Sequence, residues 1–167
     1  QDMLQGLWEI DDADDCYAVI KRLRQLALIE LDAGLTTQDK AWYSQHRILY
    51  HYARSLLKTH DELPTARDAY TDAMIAVSTI FNHWWNKPEK WGVLTPYFPH
   101  VNAVGDDLIA RYDAGDDSQA GRVSDFMVRA YMYLYHRREH AVRRGEGWFR
   151  AGIKAAQAQG DKDNEGL

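Results

Sequence analysis

Two histidines spaced one helical turn apart are the residues of this sequence best suited to chemistry. His136 and His140 enclose Glu139 in the string HRREH. On a helix the two imidazoles could share a metal ion while the carboxylate polarises a water molecule. Arginines occupy positions 137, 138, 143 and 144 of the same stretch. Because these cations oppose a divalent metal ion electrostatically, we interpret the string as part of a solvated basic helix and expect no bound metal.

Arginine followed by histidine after a short interval is a second pattern with possible chemistry. Arg54-SLLKT-His60 and Arg129-AYMYLY-His136 both have this form. The spacing resembles the motif of HEPN ribonucleases, a family of helical bundles. The resemblance implies that a dimer brings two such pairs together, with histidine in acid-base chemistry and arginine stabilising phosphate charge. A metal-free, HEPN-like ribonuclease is therefore our third hypothesis for function.

A row of cations lies on a long helix that the sequence predicts from about 119 to 144. Four of them recur every seven residues, and we call them the basic stripe: Arg122, Arg129, His136 and Arg143. On one helix they form a nearly straight row with steps of about 10.5 Å. Aromatic rings run beside the stripe at Phe126, Tyr133 and His140. Such a surface could track a nucleic-acid backbone and stack bases, or it could be a solvated face that pairs with carboxylates.

Tryptophan and proline concentrate just after the predicted central helix. Prolines at 88, 96 and 99 follow a tryptophan pair at 84 and 85, so a stiff aromatic loop is predicted near 86–100. Charged residues between Trp85 and Trp91 indicate that this loop meets solvent. Tryptophan, tyrosine and arginine are the residues that most often anchor protein interfaces. We therefore predict that Trp85 and Trp91 contact a partner.

Short catalytic and cofactor-binding motifs are missing from the sequence. It contains no GxxxxGK[ST], GxGxxG, CxxC or GxSxG string, so nucleotide, dinucleotide, zinc-ribbon and hydrolase hypotheses have no motif support. Cys16 is the only cysteine, which excludes an intrachain disulfide and fits a reducing compartment. We expect no cofactor and favour a role other than catalysis.

Apolar spacing predicts an all-α fold, a single bundle of five or six mostly antiparallel helices. The predicted helices run from the acidic cluster at 11–15 to Gly34, then over about 38–58, 64–84, 101–112, 119–144 and 147–159. Thr36 and Thr37 are predicted to cap the second helix, with Ile48, Tyr52 and Leu56 facing inward. No strand is expected. Residues 1–160 are predicted to form one domain and 161–167 a disordered tail.

Charge is distributed unevenly along the 167 residues, whose formal net charge is −5. Residues 1–40 carry nine acids and four bases, whereas residues 121–154 carry eight bases and three acids. No apolar run approaches the roughly 18 residues that span a bilayer, so we expect no membrane contact and a cytoplasmic location. The sequence favours a non-enzymatic helical interaction module, or small subunit of a larger assembly, that binds a protein partner. A nucleic-acid-binding accessory protein is the alternative.

Overall fold

A computed structural model describes residues 8, 10–34, 36, 41–84, 86–136 and 141–160, with the side chains at 81, 82, 131–136 and 141–144 left undescribed. Helices make up most of these residues, which confirms the all-α prediction. Contacts divide the chain into an N-terminal unit, Gln1–Ala73, and a C-terminal unit, Met74–Leu167. The single domain therefore stays a prediction. The predicted tail at 161–167 lies outside the described residues.

The helix α1 (Ala13–Gln25) of the N-terminal unit begins at the acidic cluster as predicted. One Asp12 carboxylate oxygen accepts hydrogen bonds from the backbone N–H groups of Asp14 at 2.7 Å and Asp15 at 3.2 Å, which satisfies donors that a helix start leaves free. Cys16 and Ile20 are buried one turn apart. The predicted helix end at Gly34 is wrong, because α1 stops at Gln25 and Ala27 adopts a left-handed φ of +53°.

A two-residue antiparallel ladder follows α1, where no strand is predicted. It pairs β1 (Glu30–Leu31) with β2 (Tyr43–Ser44). Thr36 lies next to this ladder, and its hydroxyl oxygen accepts a hydrogen bond from the Trp42 backbone N–H at 3.1 Å. The prediction that the second helix begins near residue 38 is therefore wrong.

Two helices complete the N-terminal unit. The first is α2 (Arg47–Thr59), which is capped by His46. The His46 Nδ1 atom accepts a hydrogen bond from the Ile48 backbone N–H at 3.3 Å. A tight turn then places Asp61 at φ +56° and leads into α3 (Leu63–Trp84), which matches the predicted central helix. Only the first part of α3, up to Ala73, belongs to this unit.

Among its described residues, the C-terminal unit contains the rest of α3 and four further α-helices. They are α4 (Trp91–Leu94), α5 (Phe98–Asp113), α6 (Ala120–His136) and α7 (Ala141–Gln159), with 3-10 helices at Pro88–Lys90, Thr95–Tyr97 and Asp117–Gln119. The segment predicted as a loop at 86–100 is thus largely helical. The prediction of one helix from 119 to 144 is wrong, because α6 ends at His136 and a second helix begins at Ala141.

Close contact between α6 and α7 shows their relative direction. Gly121 near the start of α6 lies beside the Gln159 side chain at the end of α7, and Gly152 lies beside Met127. The two helices are therefore antiparallel. A Cβ atom built at Gly152 would lie 2.6 Å from Met127 Cγ, so the absence of a side chain at position 152 lets the helices approach this closely.

Trp148 joins α7 to both α5 and α6. Its side chain is 2% exposed, and its ring meets Phe126 edge-on with the ring centroids 5.1 Å apart. The indole N–H donates to an Asp106 carboxylate oxygen at 3.1 Å, which satisfies the polar atom of a buried tryptophan. Gly105 makes room for the two rings, because a Cβ there would lie 2.7 Å from Phe126 Cε1.

Replacing glycine by alanine within α7 is expected to have opposite effects at two positions. Alanine favours a helix over glycine by about 1 kcal/mol, and a Cβ at Gly147 meets nothing within 4 Å. Gly147→Ala should therefore raise the free energy of unfolding by about 0.5 to 1 kcal/mol. Gly152→Ala should lower it by about 1 to 3 kcal/mol, because the new methyl group collides with Met127. Denaturant unfolding of both variants measures this, and an unchanged or stabilised Gly152→Ala would contradict the close packing.

Candidate interaction surface

The histidines considered for chemistry do not form a metal site within the described part of the chain. No three His, Cys, Asp or Glu side chains among the described residues come together as metal ligands. His140 lies outside those residues, as does Glu139, and the His136 side chain is not described. Arg54 and His60 are both exposed on or next to α2. No helix in the described ranges is both long and apolar enough to cross a membrane.

The basic stripe does not lie along a single helix. Arg122, Arg129 and His136 belong to α6, whereas Arg143 belongs to α7. Because α7 returns antiparallel to α6, the regular seven-residue spacing of the stripe is broken between His136 and Arg143. The side chains of Tyr133, His136 and Arg143 are not described, so their predicted role in binding stays a prediction.

The arginines of the stripe on α6 make hydrogen bonds within the C-terminal unit. Arg129 donates to the Thr79 hydroxyl at 3.0 Å and to an Asp125 carboxylate oxygen at 3.3 Å. Arg122 lies 3.5 Å from the side-chain oxygen of Gln119. Phe126, expected beside the stripe, is 1% exposed, so its ring cannot stack on a base. These contacts link α6 to α3 and to the 3-10 helix Asp117–Gln119 that precedes it.

Trp91 stabilises the end of α3. Its indole N–H donates to the backbone carbonyl oxygen of Trp84 at 3.1 Å, one of the carbonyl groups that a helix end leaves without a partner. The Lys90 ammonium lies over the Trp84 ring, 5.8 Å from its centroid. The half-buried Trp91 therefore has a structural role beside any role in a contact. Trp85 lies outside the described residues.

One side of α2 is exposed to solvent, although sequence analysis predicts that it faces the core. Its members are spaced four residues apart, so they form one stripe on the helix, and we call them the α2 face: Ile48, Tyr52 and Leu56. Their exposed fractions are 70%, 62% and 42%. No residue of α2 is buried. The prediction that these three side chains face inward is wrong.

The neighbouring side of α2 is half-buried. Leu49, Ala53 and Leu57 are half-buried, and they lie about a third of a turn from the α2 face. Burial, with the nearby Tyr50 as a smaller cause, raises the pKa of Tyr70 to about 12. This proximity of Tyr50 on α2 to Tyr70 on α3 fixes which side of α2 turns towards α3.

The side of α2 beyond the α2 face carries four basic residues. Its members lie three or four residues apart, and we call them the basic ridge: Arg47, His51, Arg54 and Lys58. All four are exposed, and the sequence of α2, RILYHYARSLLKT, contains no acid. Among the described residues, no carboxylate forms an ion pair with this ridge. The apolar α2 face thus lies beside the basic ridge.

Sequence periodicity shows that α2 is amphipathic but not which part of its apolar arc is covered. That arc includes both the α2 face and the half-buried side, and burial depends on contacts with residues distant in sequence. The absence of any Asp or Glu in α2 is the sequence signal that could have marked its charged side as a binding surface. Solvated helices usually mix charges of both signs.

The raised pKa of Tyr70 gives a test of how α2 packs. The folded chain keeps the phenol proton between pH 10.0 and about 12, while the unfolded chain loses it, so stability falls as pH rises through this window. Tyr70→Phe should remove that part of the fall. Tyr50→Phe should lower the pKa of Tyr70 only partly, because burial is the larger cause. Titration of tyrosinate absorbance measures both, and a Tyr70 that ionises together with the exposed tyrosines would contradict this packing.

Comparisons with family models, with curated proteins and with solved structures find no match to this chain. Its function is therefore inferred from the exposed, charged and buried side chains of the structure itself.

Proposed function

We propose that this chain is a non-enzymatic protein-interaction module, or a small subunit of a larger assembly, whose contact surface is the α2 face. The observation that carries the proposal is a thirteen-residue helix without a buried residue that exposes Ile48, Tyr52 and Leu56 in one stripe. Single exposed apolar residues are ordinary on protein surfaces, but contiguous ones mark places where another molecule binds.

Burial of this stripe by a partner would supply much of the binding free energy. A large apolar side chain moved fully from water into a packed interface contributes roughly 1.5 to 3 kcal/mol. Tyr52 adds a rigid ring and a hydroxyl group, a combination enriched at interface hot spots. We place the module in the cytoplasm, where a lone buried thiol such as that of Cys16 stays reduced.

The alternatives have less support from the geometry. Nucleic-acid binding along the basic stripe needs a continuous row of available cations, whereas Arg129 is hydrogen-bonded to Thr79 and Asp125 and Arg143 lies on another helix. A HEPN-like ribonuclease needs a paired Arg and His in each copy. Of the two candidate pairs, the one on α2 ends at the exposed His60, beyond the last residue of that helix.

Photo-crosslinking in the source cells tests the proposed contact. A photoreactive phenylalanine analogue placed at Tyr52 should yield a discrete protein adduct, and the adduct should be lost when Ile48→Ser is added. The same analogue at Tyr17, which is 58% exposed on α1, is the matched control and should yield no such adduct. Ile48→Ser should change the free energy of unfolding by less than about 1 kcal/mol, because the side chain is already exposed. Equal adducts at both positions, or none at Tyr52, would contradict the proposal.

A further inference from the structure

The charge beside the α2 face specifies the kind of partner that fits it. With 100° between successive residues, the α2 face has the half-buried Leu49, Ala53 and Leu57 on one flank and the basic ridge on the other. A partner that covers the apolar stripe must therefore extend over Arg47, His51 and Lys58. Its side chains there would meet arginine and lysine side chains that have no carboxylate partner among the described residues.

We infer that the α2 face binds an amphipathic helical segment of a partner protein whose apolar ridge is bordered by glutamate or aspartate. This inference rests on the proposed function. From Ile48 to Leu56 the face is roughly 12 Å long, which matches two to three turns of a packed helix. Acids on the flank of that helix would pair with the basic ridge, and such pairs select a partner and its orientation more than they add affinity.

A second copy of this chain fits the same surface poorly. If two α2 helices packed antiparallel through their apolar faces, like flanks would meet, so one basic ridge would lie against the other. A parallel pair would bring the basic ridge of one copy against the half-buried flank of the other, which offers no carboxylate, because α2 contains no acid. The helix α1 does not fit either, because Cys16 and Ile20 on its apolar side are already buried and its sequence carries three bases and two acids.

A selection experiment reads the preferred flank charge directly. The full chain is immobilised and exposed to a displayed library of helical peptides with a fixed leucine ridge and flanking positions that are each Glu or Lys. The expected result is enrichment of Glu over Lys on the flank. Against the ridge variant Arg47→Gln, Arg54→Gln, Lys58→Gln, that enrichment should disappear while leucine-dependent binding persists. Glutamine is a good helix former, so α2 should remain folded, which circular dichroism checks.

The matched control carries the same change in net charge at another place. Lys21→Gln, Arg22→Gln, Arg24→Gln alters three exposed bases of α1 and should keep the preference for Glu. For the best selected peptide, the ridge variant should bind about tenfold more weakly, a sum of modest exposed charge pairs, while the α1 variant should bind within about twofold of the wild type. Affinity for the wild type should also fall as salt is raised.

The possible outcomes separate this inference from the proposed function. Two results would overturn the acidic partner and leave an interaction module. One is the recovery of leucine-ridge peptides in which Glu and Lys are equally frequent on the flank. The other is an equal loss of peptide affinity in the ridge variant and the α1 variant. Recovery of no peptide would overturn both. Flotation with anionic phospholipid vesicles that is lost in Ile48→Ser would assign the face to a membrane surface instead. Sedimentation as a dimer that is lost in Ile48→Ser would assign it to a second copy. Either result overturns the inference.

Discussion

The close approach of three helices at two glycines is the constraint on which the C-terminal unit depends. Gly105 on α5 leaves space for the rings of Trp148 and Phe126, and Gly152 on α7 leaves space for Met127. The main-chain entropy that glycine loses in a helix costs about 1 kcal/mol at each position. Burial of the two aromatic rings more than offsets it, because each ring removes a large apolar area from water. Without these close contacts, α7 could not pack along α6.

Helix ends are stabilised by several different devices that sequence rules identify only in part. A carboxylate at Asp12 caps the start of α1, as expected from a short acidic side chain at that place. Among the described residues, four helices end with a residue in the left-handed region, at Ala27, Asp61, Gly115 and Gly160. After the first three of these, the next backbone N–H bonds back over the last turn. Only two of the four are glycine. The bonds of this motif, rather than residue preference alone, therefore decide where α1 and α2 end.

The elements that the sequence predicts well are those whose signal is local. The buried pair Cys16 and Ile20 and the extent of α3 follow from helical spacing and from residues adjacent in the chain. Sequence analysis continues α6 to residue 144, which lies inside α7, because the sequence over 119–144 shows no local signal that separates the two helices. The same difference separates the two candidate binding surfaces. The basic stripe is regular in sequence but divided between two helices in the structure. The α2 face looks like core in sequence, and only the structure shows it exposed.

The small number of buried residues in the N-terminal unit indicates why the exposed α2 face would serve binding rather than stability. Within the described residues of this unit, only Cys16, Ile20 and Thr71 are buried, whereas most of the buried residues belong to the C-terminal unit. An isolated helix of thirteen residues is marginal in water, so α2 depends on contacts outside itself, and only Leu49, Ala53 and Leu57 on this helix are half-buried. A partner that covers the α2 face would add the burial that the unit itself does not provide. Binding and the stability of α2 are then linked, because any molecule that binds only the folded helix shifts the folding equilibrium towards it.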